Sequence, residues 1–166
     1  MLTITARTLR SASVALFLCL AFAFAIVSTP AASQEILVSG TGIAKPGSID
    51  ATRLAGFPAV EIATKTPWTG PARFSGPRLT DVLASLGASG SKVTLIAVDD
   101  YKVELQLADI QHYQPIIAVS MNGQPLPLRG RGPFWLMFPF DEHPEIQNDT
   151  WYFRAIWQID RIRVDP

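Results

Sequence analysis

The sequence predicts an α+β fold, mostly β, in a single domain. Three observations carry this. Within Gly130–Phe140 (GRGPFWLMFPF), the residues Phe134 to Phe138 are all large and apolar and lie between Pro133 and Pro139. Proline cannot donate to a ladder and sits at strand ends, and so short a segment cannot hold a helix. The run therefore reads as a strand buried on both faces, the central strand of the core. Elsewhere, short β-rich segments alternate with turn signals, of which Asn122-Gly123 is the strongest. Only one segment, Leu79–Leu86, spaces its apolar residues by three and four, placing Leu79, Val82, Leu83 and Leu86 on one helical face.

In chain order, Gln34–Gly42 alternates weakly and reads as an edge strand, and Lys45–Ser48 is a turn by composition. Pro58–Thr64 reads as a strand with Val60 and Ile62 on one face. Lys65–Pro77 is rich in Pro and Gly and reads as a long functional loop carrying Trp68 and Phe74. The helix Leu79–Leu86 follows, with Pro77 before it and Gly87 as its stop. Lys92–Val98 and Tyr101–Leu107 read as a hairpin turning at Asp99-Asp100. Ala108–Tyr113 is a helical turn, Ile116–Met121 a strand, and Gln124–Leu128 returns from Asn122-Gly123. After an acidic turn, Asp141–Glu145, the segment Trp151–Val164 reads as a final strand with a kink near Gln158.

The 166 residues suit one domain, preceded by a leader. Arg7 and Arg10 form a basic head, Val14–Val27 is a nearly unbroken apolar run, and Thr29–Ser33 is a small-residue tail. That layout predicts a signal peptide over residues 1–33 and a mature domain over residues 34–166. The run is short for a membrane span, so membrane contact is expected only through an uncleaved leader. Arg7 and Arg10 are not adjacent, so there is no twin-arginine signal and general secretory export to the periplasm or beyond is expected. Cys19 lacks the small preceding residues of a lipid-attachment site.

The chain carries 14 basic and 14 acidic residues; without the leader the balance is 12 against 14, a net of −2. Nothing in it points to nucleic acid as a partner. The only cysteine is Cys19, so the mature chain can form no disulfide and relies on its core.

The order of motifs resembles the molybdopterin-binding domain of sulfite-oxidase-type oxidoreductases, in particular its short secreted members. The motifs are a Trp-containing loop, Phe74-Ser75-Gly76-Pro77-Arg78-Leu79, a helix, a hairpin, a strand ending in Asn122-Gly123, and Gly132-Pro133 leading into Trp135-Leu136 and Pro139. They span Ile49 to Val164. The resemblance implies a cysteine thiolate bound to molybdenum, four residues before a tryptophan and ten before the Trp-x-Gly-x-x-Leu segment. Counting back from Trp68 and from Phe74 gives Thr64 both times. A soft, high-valent metal needs an anionic sulfur, and Thr64 offers a neutral hydroxyl. The resemblance also implies an arginine where Trp135 stands, and Lys, Arg or Gly at a phosphate site where Asp141, Glu142 and Glu145 stand. Carboxylates repel a phosphate.

The expectation is therefore an exported protein of this fold without catalysis, a sensor or accessory module for a small molecule or an envelope protein, with no cofactor. Its pocket is expected to be bounded by Thr64, Trp68, Asp99, Tyr101, Arg129, Arg131 and Gly132. Arg129 and Arg131 either hold an anion beside Gly130 or pair with Asp141 or Glu142. One alternative is a molybdopterin-dependent oxidoreductase with an unusual ligand set. Another is a structural interaction domain with a closed pocket. His112 and His143, near Asp109 and the acidic turn, have no metal-site spacing, so no metal is assigned. Ser75, Ser89 and Ser91 lie in no nucleophile elbow.

Overall fold

The last strand of the chain lies at the middle of the largest sheet. The computed structural model describes residues 34–166, and the expected signal peptide lies outside them. Strand β1 (Glu35–Ser39) runs antiparallel to β2 (Gly47–Asp50) and parallel to the last strand, β11 (Ile159–Asp165). Strand β11 also pairs with β5 (Lys92–Ala97), which pairs with β6 (Lys102–Gln106), giving the order β2-β1-β11-β5-β6. Ile159, Ile162 and Val164 are buried at that centre.

A second sheet is built on the hairpin of β3 (Ala59–Thr66) and β4 (Thr69–Pro77), extended by β8 (Ser120–Met121) and β9 (Gln124–Pro125). The β8–β9 turn is Asn122-Gly123, with φ of 52° and 76°, the doubly positive geometry that this dipeptide favours. Between the sheets lies a two-stranded pair of β7 (Ile116–Ala118) and β10 (Trp135–Met137), every residue buried.

Helix α2 (Leu79–Ser85) buries Leu79, Val82 and Leu83 as its spacing requires, and the chain leaves it through Gly87 at φ +66°. Helix α3 (Leu107–Tyr113) follows β6 directly. Among the described residues, no helix is long and apolar enough to cross a membrane.

Several expectations are corrected. Lys65–Pro77 is the end of β3, the turn and the second strand of a hairpin, with Ala72, Phe74 and Gly76 inward. Pro71 is tolerated because the ladder shifts register between Thr64 and Thr66, next to its position. Gly76 allows β4 to touch β7: a Cβ there would meet the Ile117 carbonyl oxygen at 1.9 Å. The Lys45–Ser48 turn gives way to β2 from Gly47, followed by helix α1 (Ala51–Ala55), whose first turn is capped by Asp50 accepting from the Arg53 N–H at 2.7 Å.

Trp151–Val164 is not one strand. Asn148 caps helix α4 (Asp149–Tyr152), the chain then runs irregularly, and β11 begins only after Gln158, at φ +52°. The kink is where the sequence placed it. The apolar run is central by burial rather than by sheet position: β10 has one ladder partner, β7, and an isolated bridge from Trp135 to Trp157.

Phe138 is fully buried and packs against Phe140 and Trp151 at centroid distances of 5.8 and 5.5 Å. Phe138→Ala should cost about 3–5 kcal/mol of stability, read from urea denaturation, because a buried ring leaves a cavity.

Candidate ligand-binding site

Alternation along β3 turns Ile62, Thr64 and Thr66 inward and Glu61, Ala63 and Lys65 outward. Thr64 is 2% exposed, and its Oγ1 accepts a hydrogen bond from the backbone N–H of Asp141 at 3.3 Å. This bond joins the second sheet to the acidic turn that ends the buried apolar run. Beside it lies an open cavity of about 290 Å³, walled by Thr64, Ala72, Arg73, Asn122 and Asp141. Arg73 is engaged there: its guanidinium donates to Glu61 at 2.6 Å and its backbone N–H to Asn122 Oδ1 at 2.9 Å.

Trp68 sits in the β3–β4 turn, where its N–H donates to Thr66 Oγ1 at 3.2 Å and Thr66 is bonded to Thr69 at 3.0 Å. Its ring meets Trp157 edge-on at 5.3 Å and Phe153 at 6.2 Å. Together with Tyr101 and Ile156 these rings enclose a cavity of about 230 Å³. Asp99 is the one charged residue on its wall among the described residues. Its Oδ1 accepts from the Tyr101 N–H at 3.1 Å, holding the β5–β6 turn, while the Tyr101 hydroxyl donates to the Phe153 carbonyl at 3.1 Å. Asp100 is taken by Arg161, whose guanidinium that hydrogen bond holds above its ordinary pKa. Asp99 has no ion-pair partner among the described residues.

The expected single pocket is thus corrected. Trp68, Asp99 and Tyr101 come together, but Thr64 borders a different cavity. Arg129 is exposed on the loop before β10, and Arg131 lies over the rings of Trp135 and Trp157 at 5.4 and 5.5 Å. Neither pairs with Asp141 or Glu142; Arg131 meets an aromatic face, a favourable contact for a weakly hydrated guanidinium. Gly132 is buried, and a Cβ there would meet the Leu126 carbonyl at 2.5 Å, so its role is close packing.

Sequence reasoning missed Phe153, Ile156 and Trp157. Their aromatic and apolar character was visible, but the strand expected over Trp151–Val164 assigned them to the core. The irregular turn after α4 is what swings them to the cleft. Where the resemblance implies an arginine stands Trp135, 1% exposed, with its indole N–H donating to the Ala155 carbonyl at 2.9 Å.

The family profile described as "Oxidoreductase molybdopterin binding domain" matches residues 35–140. The chain belongs to that family. No curated protein sequence matches it. Among solved structures it is similar to the sulfane dehydrogenase SoxCD from Paracoccus pantotrophus, at 13% identity and a TM-score of 0.62. That match covers 79% of this chain and 38% of the other, so the chain spans well under half of that protein's length. The likeness establishes the sulfite-oxidase-like fold.

The residues at position 64 and around it do not fit the family's molybdenum group. The donor is a buried hydroxyl already engaged by the Asp141 N–H, and the described residues contain no cysteine. A hydroxyl does not ionise at ordinary pH, and the neighbouring Asp141 adds a carboxylate where the resemblance implies a phosphate. Thr64→Val should cost about 1–2 kcal/mol in urea denaturation, because the Asp141 N–H loses its acceptor. Thr64→Ser, which keeps the oxygen, should cost less.

Proposed function

We propose that this chain is an exported, non-catalytic member of the family, a sensor or accessory module that binds a small organic molecule in the aromatic cleft. One observation carries the reading: residue 64 is a buried alcohol whose oxygen is committed to the Asp141 N–H. Molybdenum chemistry of the family kind needs a thiolate at that place, and the mature chain has no sulfur anion to supply. Export is supported by the basic head, the apolar run Val14–Val27 and the small-residue tail.

The cleft is where binding is assigned. Its wall is apolar and aromatic with one carboxylate, the composition of a site for a small organic cation. A cation entering it would face the rings of Trp68, Tyr101 and Trp157 and neutralise Asp99. Arg131 already lies over Trp157 at 5.5 Å, an interaction of the same type.

Two measurements test this. Metal and pterin analysis of protein isolated from its native host should find no stoichiometric molybdenum; stoichiometric molybdenum with a pterin overturns the reading. Tryptophan fluorescence titrated with quaternary ammonium compounds should report saturable quenching that falls at least tenfold in affinity in Trp68→Ala and Asp99→Asn. Affinities unchanged in both variants would remove the cleft as the binding site.

A further inference from the structure

The two histidines of the chain, 31 positions apart in sequence, converge on one patch of surface. His112 lies in the last turn of α3, and His143 lies in the acidic turn after the buried run. One ligand atom from each of His112, His143 and Glu145 lies within 4.8 Å of the other two. His143 Nδ1 is 3.2 Å from Glu145 Oε1. Two ligands of a tetrahedral zinc ion stand about 3.3 Å apart, given bonds of 2.0–2.1 Å. The pair, now joined by a direct hydrogen bond, is spaced much as two ligands of one ion would be, and a His112 ring nitrogen lies within 4.8 Å of both.

The rings are held rather than loosely scattered. Tyr113, half-buried against the core, packs edge-on against both, 4.6 Å from His112 and 5.0 Å from His143, and the two imidazoles stand 5.9 Å apart. Its other side meets Trp151 at 4.8 Å. The turn is fixed from below by Ile146, fully buried, and by Gln147 donating to the Phe140 carbonyl at 2.7 Å. An adjoining cavity of about 350 Å³ brings Glu61 and Glu142 to the same wall as both histidines, with Arg78 as its one guanidinium. Asp109, which the sequence placed near His112, instead faces Arg154 at 3.7 Å and stands outside the cluster.

We propose that His112, His143 and Glu145 form a binding site for a divalent transition-metal cation, with zinc as the best match. Two imidazole nitrogens and one carboxylate oxygen, without thiolate, suit zinc and its neighbours and not calcium or magnesium, which prefer oxygen alone. Three protein ligands leave a coordination position open to water or to a small anion from the adjoining cavity. This site is separate from residue 64, and it stands or falls independently of the function proposed above.

The test is calorimetric titration of zinc chloride into the natively produced protein, freed of metal by chelator and carrying no histidine tag. One equivalent should bind. His112→Ala and His143→Ala should each weaken binding at least tenfold, and Glu145→Gln several-fold, with metal-free melting temperatures close to the parent. Cobalt chloride should give the visible absorption of a nitrogen- and oxygen-ligated ion, and His112→Ala should abolish it. His112 is exposed, so that variant keeps the test interpretable if His143→Ala fails to fold. Absence of stoichiometric zinc binding, or equal affinity in His112→Ala, overturns the proposal.

Discussion

The structure depends on giving a fully buried apolar segment backbone partners on both of its edges. Residues Phe134 to Phe138 are each no more than 1% exposed, so their backbone groups cannot turn to water. One edge of the segment is met by β7, in register from Trp135 with Ala118 to Met137 with Ile116. The other is met by the chain leaving α4: the Leu136 N–H donates to the Ile156 carbonyl at 2.8 Å, and the Ile159 N–H donates to the Phe134 carbonyl at 3.2 Å. Satisfying that second edge dictates where Ile156 and Trp157 go, and hence where the aromatic cleft forms. At its far end the same segment delivers Phe140 and the Asp141 N–H that engages Thr64. The core thereby sets both neighbourhoods, the cleft at Trp68 and the cavity beside Thr64.

Much of this was legible in the sequence because local chemistry and tertiary structure agreed. Leu79, Val82 and Leu83 form the helix face their spacing implied, and Asn122-Gly123 turns as that dipeptide must. Gln158 takes the positive φ that marks the kink. The errors fall where tertiary pairing overrides composition. Thr69–Pro77 has the proline and glycine of a loop, yet Ala72, Phe74 and Gly76 face inward and Gly76 permits contact with β7, so the strand forms. Trp151 to Trp157 has the apolar content of a strand, yet Asn148 caps a helix first and redirects the chain.

The candidate site was legible only in part, for a related reason. The inward turn of Thr64 follows from the alternation along β3, which is local. Assigning Arg129 and Arg131 to the same pocket required knowing how the loop before β10 packs. That depends on Trp157, a residue 26 positions further on, whose ring accepts Arg131. The meeting of His112 with His143 was likewise invisible, since neither spacing nor periodicity encodes the edge-on contacts that Tyr113 makes with both rings.

A family fold that stands without its thiolate is physically reasonable here. Residue 64 contributes one inward position to β3, and a threonine satisfies the strand's alternation and the Asp141 N–H without any ion. The burial that stabilises the domain lies elsewhere, in Phe74, Phe134, Trp135, Phe138 and Phe140, none of which faces the cavity beside Thr64. Residue 64 can therefore change its chemistry without removing any of these rings from the core, while the cleft at Trp68 takes only Ala97 and Ile156 from the core and builds the rest of its wall from partly exposed side chains.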